Sequence, residues 1–336
     1  MIQLVLGSNE NYADGMLVTV ASALSSLNRD ASITLHLLDG GISEKTFRKL
    51  DKICKIMHPS CCLDIIKIKE QSFQGFTPGP GNSLMTYARL LMGSLLKGID
   101  RVIYIDVDFL VLKDLHELWK RGMHGKIAWA CRDITIPHLD GETPLPVSEE
   151  EKKWPYFNAG FLMIDLKKWR DVNIEKKSLE LGLINRSGLA DQSILNYLFK
   201  GDVGFLEDEW NWQFPNVLSE GGVRIANYHF LWIKKPWMHF RTTLNYRLWR
   251  YYYRRYASGS MISLYCRIGL HGLLIGLRET LIRSFPLMRK IYLANVARKF
   301  DKETPAYQGL ERYYSESSTE YPINLERRAF FEFVRS

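Results

Sequence analysis

Over roughly its first 115 residues the chain alternates short apolar runs with stretches of helical period. No other feature limits its fold as strongly. "IQLVLG", "SITLHLL", "CLDIIKI" and "RVIYI" read as strands, while residues 16–27, 43–57 and 84–96 read as helices. The second helix opens on Ser43 and Thr46 as a capping pair. Strand–helix alternation builds a mostly parallel sheet with helices on both faces. Ligands of such sheets bind beyond the carboxyl ends of the strands. The places to search are therefore the loop "GSNENY" after the first run and the end of "RVIYI".

That second end reads "VIYIDVDFLVLKDL", residues 102–115: an apolar strand, then Asp106 and Asp108 around Val107, then apolar residues again. Carboxylates this close repel, and burying one unpaired is costly. A hard divalent cation held by carboxylate oxygens resolves the conflict and is what neutralising a diphosphate requires. The plainer alternative is a solvated turn. Downstream, "YFNAGFLMIDLKKW" (156–169) places Asn158, Ala159 and Gly160 at the mouth of a strand. Small residues there let backbone approach a ligand, and the Asn amide can bond sugar hydroxyls. "ADQSILNYLF" sets Asp191 and Gln192 at a helix N-terminus, where Asp also serves as an ordinary first-turn residue. "NYHFLWIKKPW" (227–237) carries His229 and Lys235, which can supply a metal ligand and a phosphate contact.

In this order and spacing, "NENYADGM", "TYARL", "VIYIDVDFLV", "FNAGFLMIDLKKW", "DQSILNYLFKG" and "HF…KKPW" resemble the retaining glycosyltransferases of family 8, over about residues 1–240. The likeness is closest to bacterial α-galactosyl- and α-glucosyltransferases that build lipopolysaccharide or lipooligosaccharide. The resemblance implies a GT-A fold, Rossmann-like, with a mostly parallel sheet flanked by helices. It implies a UDP-hexose donor, galactose or glucose, and a saccharide or glycolipid acceptor joined in α-linkage. It also implies metal ligation by Asp106, Asp108 and His229, a set that suits Mn²⁺ better than Mg²⁺. Gly7, Ser8, Asn9, Asn11 and Tyr12 match the loop that holds uracil and ribose, with Tyr12 on the base. Arg89 matches an arginine near the donor sugar, Val107 lies between the metal aspartates, and Lys235 matches a lysine on the diphosphate. Asn158, Ala159, Asp191 and Gln192 match the sugar site, and Asp133 an aspartate near the reaction centre. The resemblance implies that Gln192 lies nearest the face of the sugar opposite the leaving group, where an amide would stabilise an oxocarbenium-like centre, and a front-face return is expected. A covalent intermediate on Asp191 is the second route. The chain departs from the family at Asn9, where an acid is usual, and at Trp232, where the galactosyltransferases have glycine.

Two readings from other classes stay open beside this one. Asp-x-Asp phosphohydrolases expect Thr or Val two residues beyond the second Asp, where Leu110 stands. A nucleotide-sugar-binding protein with little turnover is suggested by Asn9 and Trp232.

Charge separates the end of the chain from the rest. Residues 241–299 hold twelve Lys or Arg and one acid, Glu279, against a formal charge of +8 for the whole chain. We read residues 1–240 as the catalytic domain and 241–336 as a basic, aromatic and helical extension. Its composition suits an anionic membrane surface, and no nucleic-acid module accompanies it. Five cysteines without a CxxC pair suggest neither a disulfide framework nor a zinc site. No signal peptide or membrane span is evident, so the expected place is the cytoplasm, peripheral on the inner face of the cytoplasmic membrane.

Overall fold

The computed structural model describes residues 1–79, 83–139, 145–213, 218–219, 222–223, 226–231, 235–240, 243–257 and 261–297. The expected alternation is present. β1 (Ile2–Ser8), α1 (Ala13–Ser26), β2 (Ile33–Asp39), α2 (Glu44–Met57) and β3 (Cys62–Lys67) follow one another. Ser43 caps α2 by accepting from the Thr46 N–H at 3.2 Å. The cap has a partner that local sequence hides: Glu10 accepts from the Ser43 N–H at 2.7 Å and from the Thr46 hydroxyl at 2.9 Å.

The helix expected over residues 84–96 forms differently. Met85–Leu91 winds as a 3₁₀ helix and only Met92–Leu95 (α3) is α-helical. Three residues per turn eclipse positions i and i+3, which stacks Thr86 and Arg89 on one side, where both meet Asp191. β4 (Arg101–Ile105), the two-residue β5 (Phe109–Leu110), α4 (Leu115–Lys120), β6 (Ala128–Arg132) and β7 (Phe157–Asp165) follow. Beyond them come α5 (Leu166–Asp171), α6 (Ile174–Gly182), α7 (Asp191–Phe199) and β8 (Val203–Phe205). β9 (Leu218–Ser219) and β10 (Gly222–Val223) form a small ribbon, and β11 (Tyr228–His229) precedes the helices α8 (Leu244–Tyr252), α9 (Met261–Ser284) and α10 (Pro286–Ala297).

The main sheet has the order β3-β2-β1-β4-β7-β6-β8. β1 runs parallel to β2 and β4, as β2 does to β3 and β6 to β8, but β7 is antiparallel to both neighbours. Reversal puts the start of β7 beside the end of β4, where the Asp106 N–H donates to the Gly160 carbonyl at 2.8 Å. A second antiparallel contact, β5 with β11, pairs Phe109 with His229. These two pairings assemble one end of the sheet from segments far apart in the chain.

Residues 244–257 pack inward. Tyr246, Trp249, Tyr252 and Tyr253 are buried in the core that also holds α1, and Trp249 stacks on Tyr253 with ring centroids 5.2 Å apart. α9 presses Leu264 and Ile268 on the same side. A Cβ on Gly272 or Gly276 would overlap the carbonyl oxygens of Met238 or Phe240 at 2.5 and 2.0 Å, so glycine permits this close approach.

Candidate active site

At the C-terminal end of β4, ligand atoms of Asp106, Asp108 and His229 lie within 4.8 Å of one another. Local sequence supplies the two aspartates; the β5–β11 pairing supplies the imidazole, and the Phe230 N–H donates to the Asp108 carbonyl at 2.9 Å. Asp108 Oδ1 is buried and receives no hydrogen bond. It faces His229 Nε2 at 3.2 Å. His229 Nδ1 meets Asn211 Oδ1 at 3.0 Å, so a proton on Nδ1 is directed to Asn211 and Nε2 is the nitrogen turned toward Asp108. Nε2, Asp108 Oδ1 and the second carboxylate beside them are the donor set a divalent cation would take. The residues fit the metal.

Lys235 occupies a different place from the one expected. Its ammonium donates to Asp108 Oδ2 and, at 2.6 Å, to the Phe230 carbonyl. Burial would raise the Asp108 carboxyl, but the Lys235 ammonium beside it outweighs burial and holds Asp108 well below the usual carboxylate range. The lysine thus caps Asp108. Trp232 lies outside the described residues.

Arg89 forms the centre of the neighbouring cradle. Fully buried, it pairs with Asp106 and with Asp191 at 2.8 Å each, donates to the Ala159 carbonyl, and lies 4.3 Å above the Tyr104 ring. Burial would lower its pKa, but the two carboxylates dominate and raise it. Tyr104 donates to Asp106 at 3.0 Å and Thr86 donates to Asp191. Burial pushes the Asp191 carboxyl up to about 6 against the opposing pull of Arg89. Ala190, at φ +51°, turns the chain into α7 so that Asp191 and Gln192 enter the cradle. Gln192 is held at both ends: Oε1 accepts from the Ala159 N–H at 2.9 Å and Nε2 donates to Asp133 at 3.2 Å. Asp133 is saturated, also accepting from Thr135, Ile136 and Asn158.

On the other side stands the expected nucleotide loop. Gly7 and Ser8 are the last residues of β1 rather than loop, and the Ser8 carbonyl accepts from the Gly40 N–H at 2.8 Å. Asn9 caps a short 3₁₀ turn, its Oδ1 accepting from the Asn11 N–H at 3.1 Å, and the amide in place of an acid does that work. Tyr12 is half-buried, its ring set edge-on to Trp237 at 6.2 Å. Its hydroxyl pKa is raised first by burial and then by the charges of Asp108 and Asp106. The Val107 carbonyl accepts from Thr19 at 3.0 Å, which pins the turn between the aspartates.

Two sequence readings change. Gly160 was expected to clear space for a ligand, but the His229 ring fills that space: a Cβ there would lie 2.4 Å from Cε1. Asn211 and Thr86 were missed. Thr86 sits one 3₁₀ turn before Arg89 in "TYARL", and Asn211 is the polar residue inside the aromatic stretch "EWNWQFPN".

A family model described as glycosyl transferase family 8 matches residues 3–240. The chain belongs to that family. A Haemophilus influenzae protein is 32% identical over 213 residues, which is 62% of this chain and 63% of its own. The chain thus spans somewhat less than two thirds of that relative. The lipopolysaccharide 1,2-glucosyltransferase of Escherichia coli is 26% identical over 254 residues, covering 70% of this chain and 72% of that protein. A solved structure of the galactosyltransferase LgtC with donor and acceptor sugar analogues superposes with a TM-score of 0.62 at 25% identity. It covers 78% of this chain and 98% of its own. The sheet, with helices on both faces, is the GT-A arrangement of that neighbour.

Proposed function

We propose that this glycosyltransferase moves galactose or glucose from a UDP-hexose to a saccharide or glycolipid acceptor, with retention and with Mn²⁺. What carries the reading is the adjacency of the Asp106–Asp108–His229 donor set to a cradle of Arg89, Asp191 and Gln192. The relatives named for lipopolysaccharide glucosyl transfer and for galactosyl transfer favour these two hexoses. When bound, the metal neutralises charge on the departing diphosphate.

In front-face return the bond from C1 to the diphosphate oxygen breaks. The acceptor oxygen bonds C1 on the same face, and its proton passes to that phosphate oxygen. Both Asp191 oxygens are already engaged, by Thr86 and by Arg89, which disfavours its use as a nucleophile. Gln192 Oε1 keeps one lone pair beyond its bond to Ala159, able to face positive charge at C1.

The test is UDP release from UDP-galactose and UDP-glucose with Mn²⁺, Mg²⁺ or chelator, with and without saccharide acceptors. Metal-dependent release from either donor is expected, with proton NMR of the first product giving the small coupling of an α-linkage. A large coupling sinks retention. Binding of UDP-hexose without any release favours a binding protein instead, and phosphate release from simple monoesters favours the phosphohydrolase.

We further propose that α9 and α10 seat the enzyme on an anionic membrane. Support comes from the outer face of α9, where Leu270, Leu273, Leu274, Leu277 and Leu281 are exposed at helical spacing, continued by Leu287, Met288 and Ile291 of α10. Arg278 and Lys290 are exposed beside it. Among the described residues no helix is long and apolar enough to cross a membrane. A surface-lying helix with basic flanks matches this pattern. Truncation near Phe240 would remove core residues such as Trp249, so the test is Leu274→Glu with Leu277→Glu in the full chain. Sedimentation with liposomes should fall for this variant and should weaken with salt for the wild type. Equal binding by both proteins removes the helices from the account.

A further inference from the structure

Five side chains run without a break from the metal site to the sugar site. His229 Nδ1 meets Asn211 Oδ1 at 3.0 Å, and Asn211 Nδ2 donates to Asn158 Oδ1 at 2.9 Å. Asn158 Nδ2 donates to Asp133 Oδ2 at 3.1 Å, and Gln192 Nε2 donates to the same oxygen at 3.2 Å. His229, Asn211, Asn158 and Asp133 are all buried.

The chain has a direction, and chemistry sets it. An ionised carboxylate only accepts, whereas an amide has one accepting and one donating end. Asp133 therefore turns the NH₂ of Asn158 toward itself and the carbonyl of Asn158 toward Asn211. Asn211 must answer with its own NH₂, which leaves its carbonyl for His229. The imidazole must then carry a proton on Nδ1, which leaves Nε2 as the nitrogen able to ligate a metal. Two backbone donors fix the same orientations independently. The Gly160 N–H donates to Asn158 Oδ1 at 3.1 Å, and the Ala159 N–H donates to Gln192 Oε1 at 2.9 Å.

We infer that Asn211 is a positioning residue that relays the orientation set by Asp133 to His229, holding the histidine in the tautomer that binds metal and tying the metal site to the sugar-facing Gln192. Asn211 touches neither the metal position nor the cradle of Arg89. Its action runs through His229 on one side and Asn158 on the other. Outer partners of this kind govern metal affinity by orienting the ligand. The inference rests on the metal reading above.

The experiment titrates Mn²⁺ alone into the full-length, metal-free protein and follows the free-ion EPR signal, with UDP release measured in parallel. Asn211→Leu removes both bonds and should weaken Mn²⁺ binding about 10- to 100-fold. Asn211→Asp still accepts from His229 Nδ1 but cannot donate to Asn158. It should keep Mn²⁺ affinity within about threefold of the wild type while lowering turnover at saturating Mn²⁺ about tenfold or more. If Asn211→Leu does not give a folded protein by circular dichroism, Asn211→Ser, too short to bridge, takes its place with the same expectation. Unchanged affinity in the Leu or Ser variant overturns the relay. So does an equal loss in the Asp variant, which would mark a packing role only. A wild type that takes up no Mn²⁺ overturns the metal reading itself, and the relay falls with it.

Discussion

Substituting Gly160 by alanine tests how closely His229 is fitted to its position. Gly160 lies inside β7 with ordinary strand backbone, so alanine meets no conformational penalty there. Its Cβ would stand 2.4 Å from His229 Cε1 and 3.0 Å from His229 Nδ1 and Asn158 Oδ1. Carbon atoms pack at about 3.5–4.0 Å, so the imidazole must move by about 1 Å. It has nowhere to go: its other face stacks on Phe109 with ring centroids 4.3 Å apart, and the residue is buried. Overpacking of this kind costs about 1–3 kcal/mol, a few degrees of melting temperature for a chain this long. A metal site tolerates about 0.2 Å in its bond lengths, so the displaced ring should also lose at least about tenfold in Mn²⁺ affinity. Gly188→Ala is the control, because a Cβ there meets nothing within 4 Å. Thermal unfolding and EPR titration of Mn²⁺ read the two effects. A Gly160→Ala protein that melts with the control and binds Mn²⁺ like the wild type would refute the packing of His229 described above.

Arg89→Met leaves the buried Asp191 and the half-buried Asp106 without their shared cation, and chemical denaturation in chelator should show a loss of about 3 kcal/mol. A loss below about 1 kcal/mol would mean that the pairing is not what holds this region. Asp108→Asn should lower turnover by orders of magnitude at saturating Mn²⁺ while far-UV circular dichroism stays unchanged; near wild-type turnover contradicts the ligand set. Asp191 gives a pH signature in the metal-free protein. Its carboxyl is raised to about 6 by burial, so the protonated form favours the native state. That contribution is complete below about pH 4 and is lost as pH rises through about 6. Relative to Asp191→Asn, the wild type should lose about 2 kcal/mol of unfolding free energy between pH 4 and pH 7; a flat difference rules this out.

Much of the frame is written locally. Strand and helix periods in the first 115 or so residues place β1, β2, β3 and β4 within a residue or so of where they form. Ser43 marks the start of α2, and "ADQ" the start of α7. Asp106 and Asp108 stand at the end of β4 as read, because an apolar run that meets two carboxylates must stop being buried there. Tertiary structure decided the rest. No local signal could show that β7 runs antiparallel, yet that reversal is what lays Gly160 beside Asp106. His229 reaches the aspartates through a two-residue pairing with β5, across more than a hundred residues of chain. Asn211 gains its role only from where His229 and Asn158 come to rest. The aromatic run of residues 244–257 has the composition of an interfacial belt, and burial against α1 turned it into core. Composition and period report what a segment prefers with its immediate neighbours. Which distant segment it meets depends on the burial gained by the whole molecule.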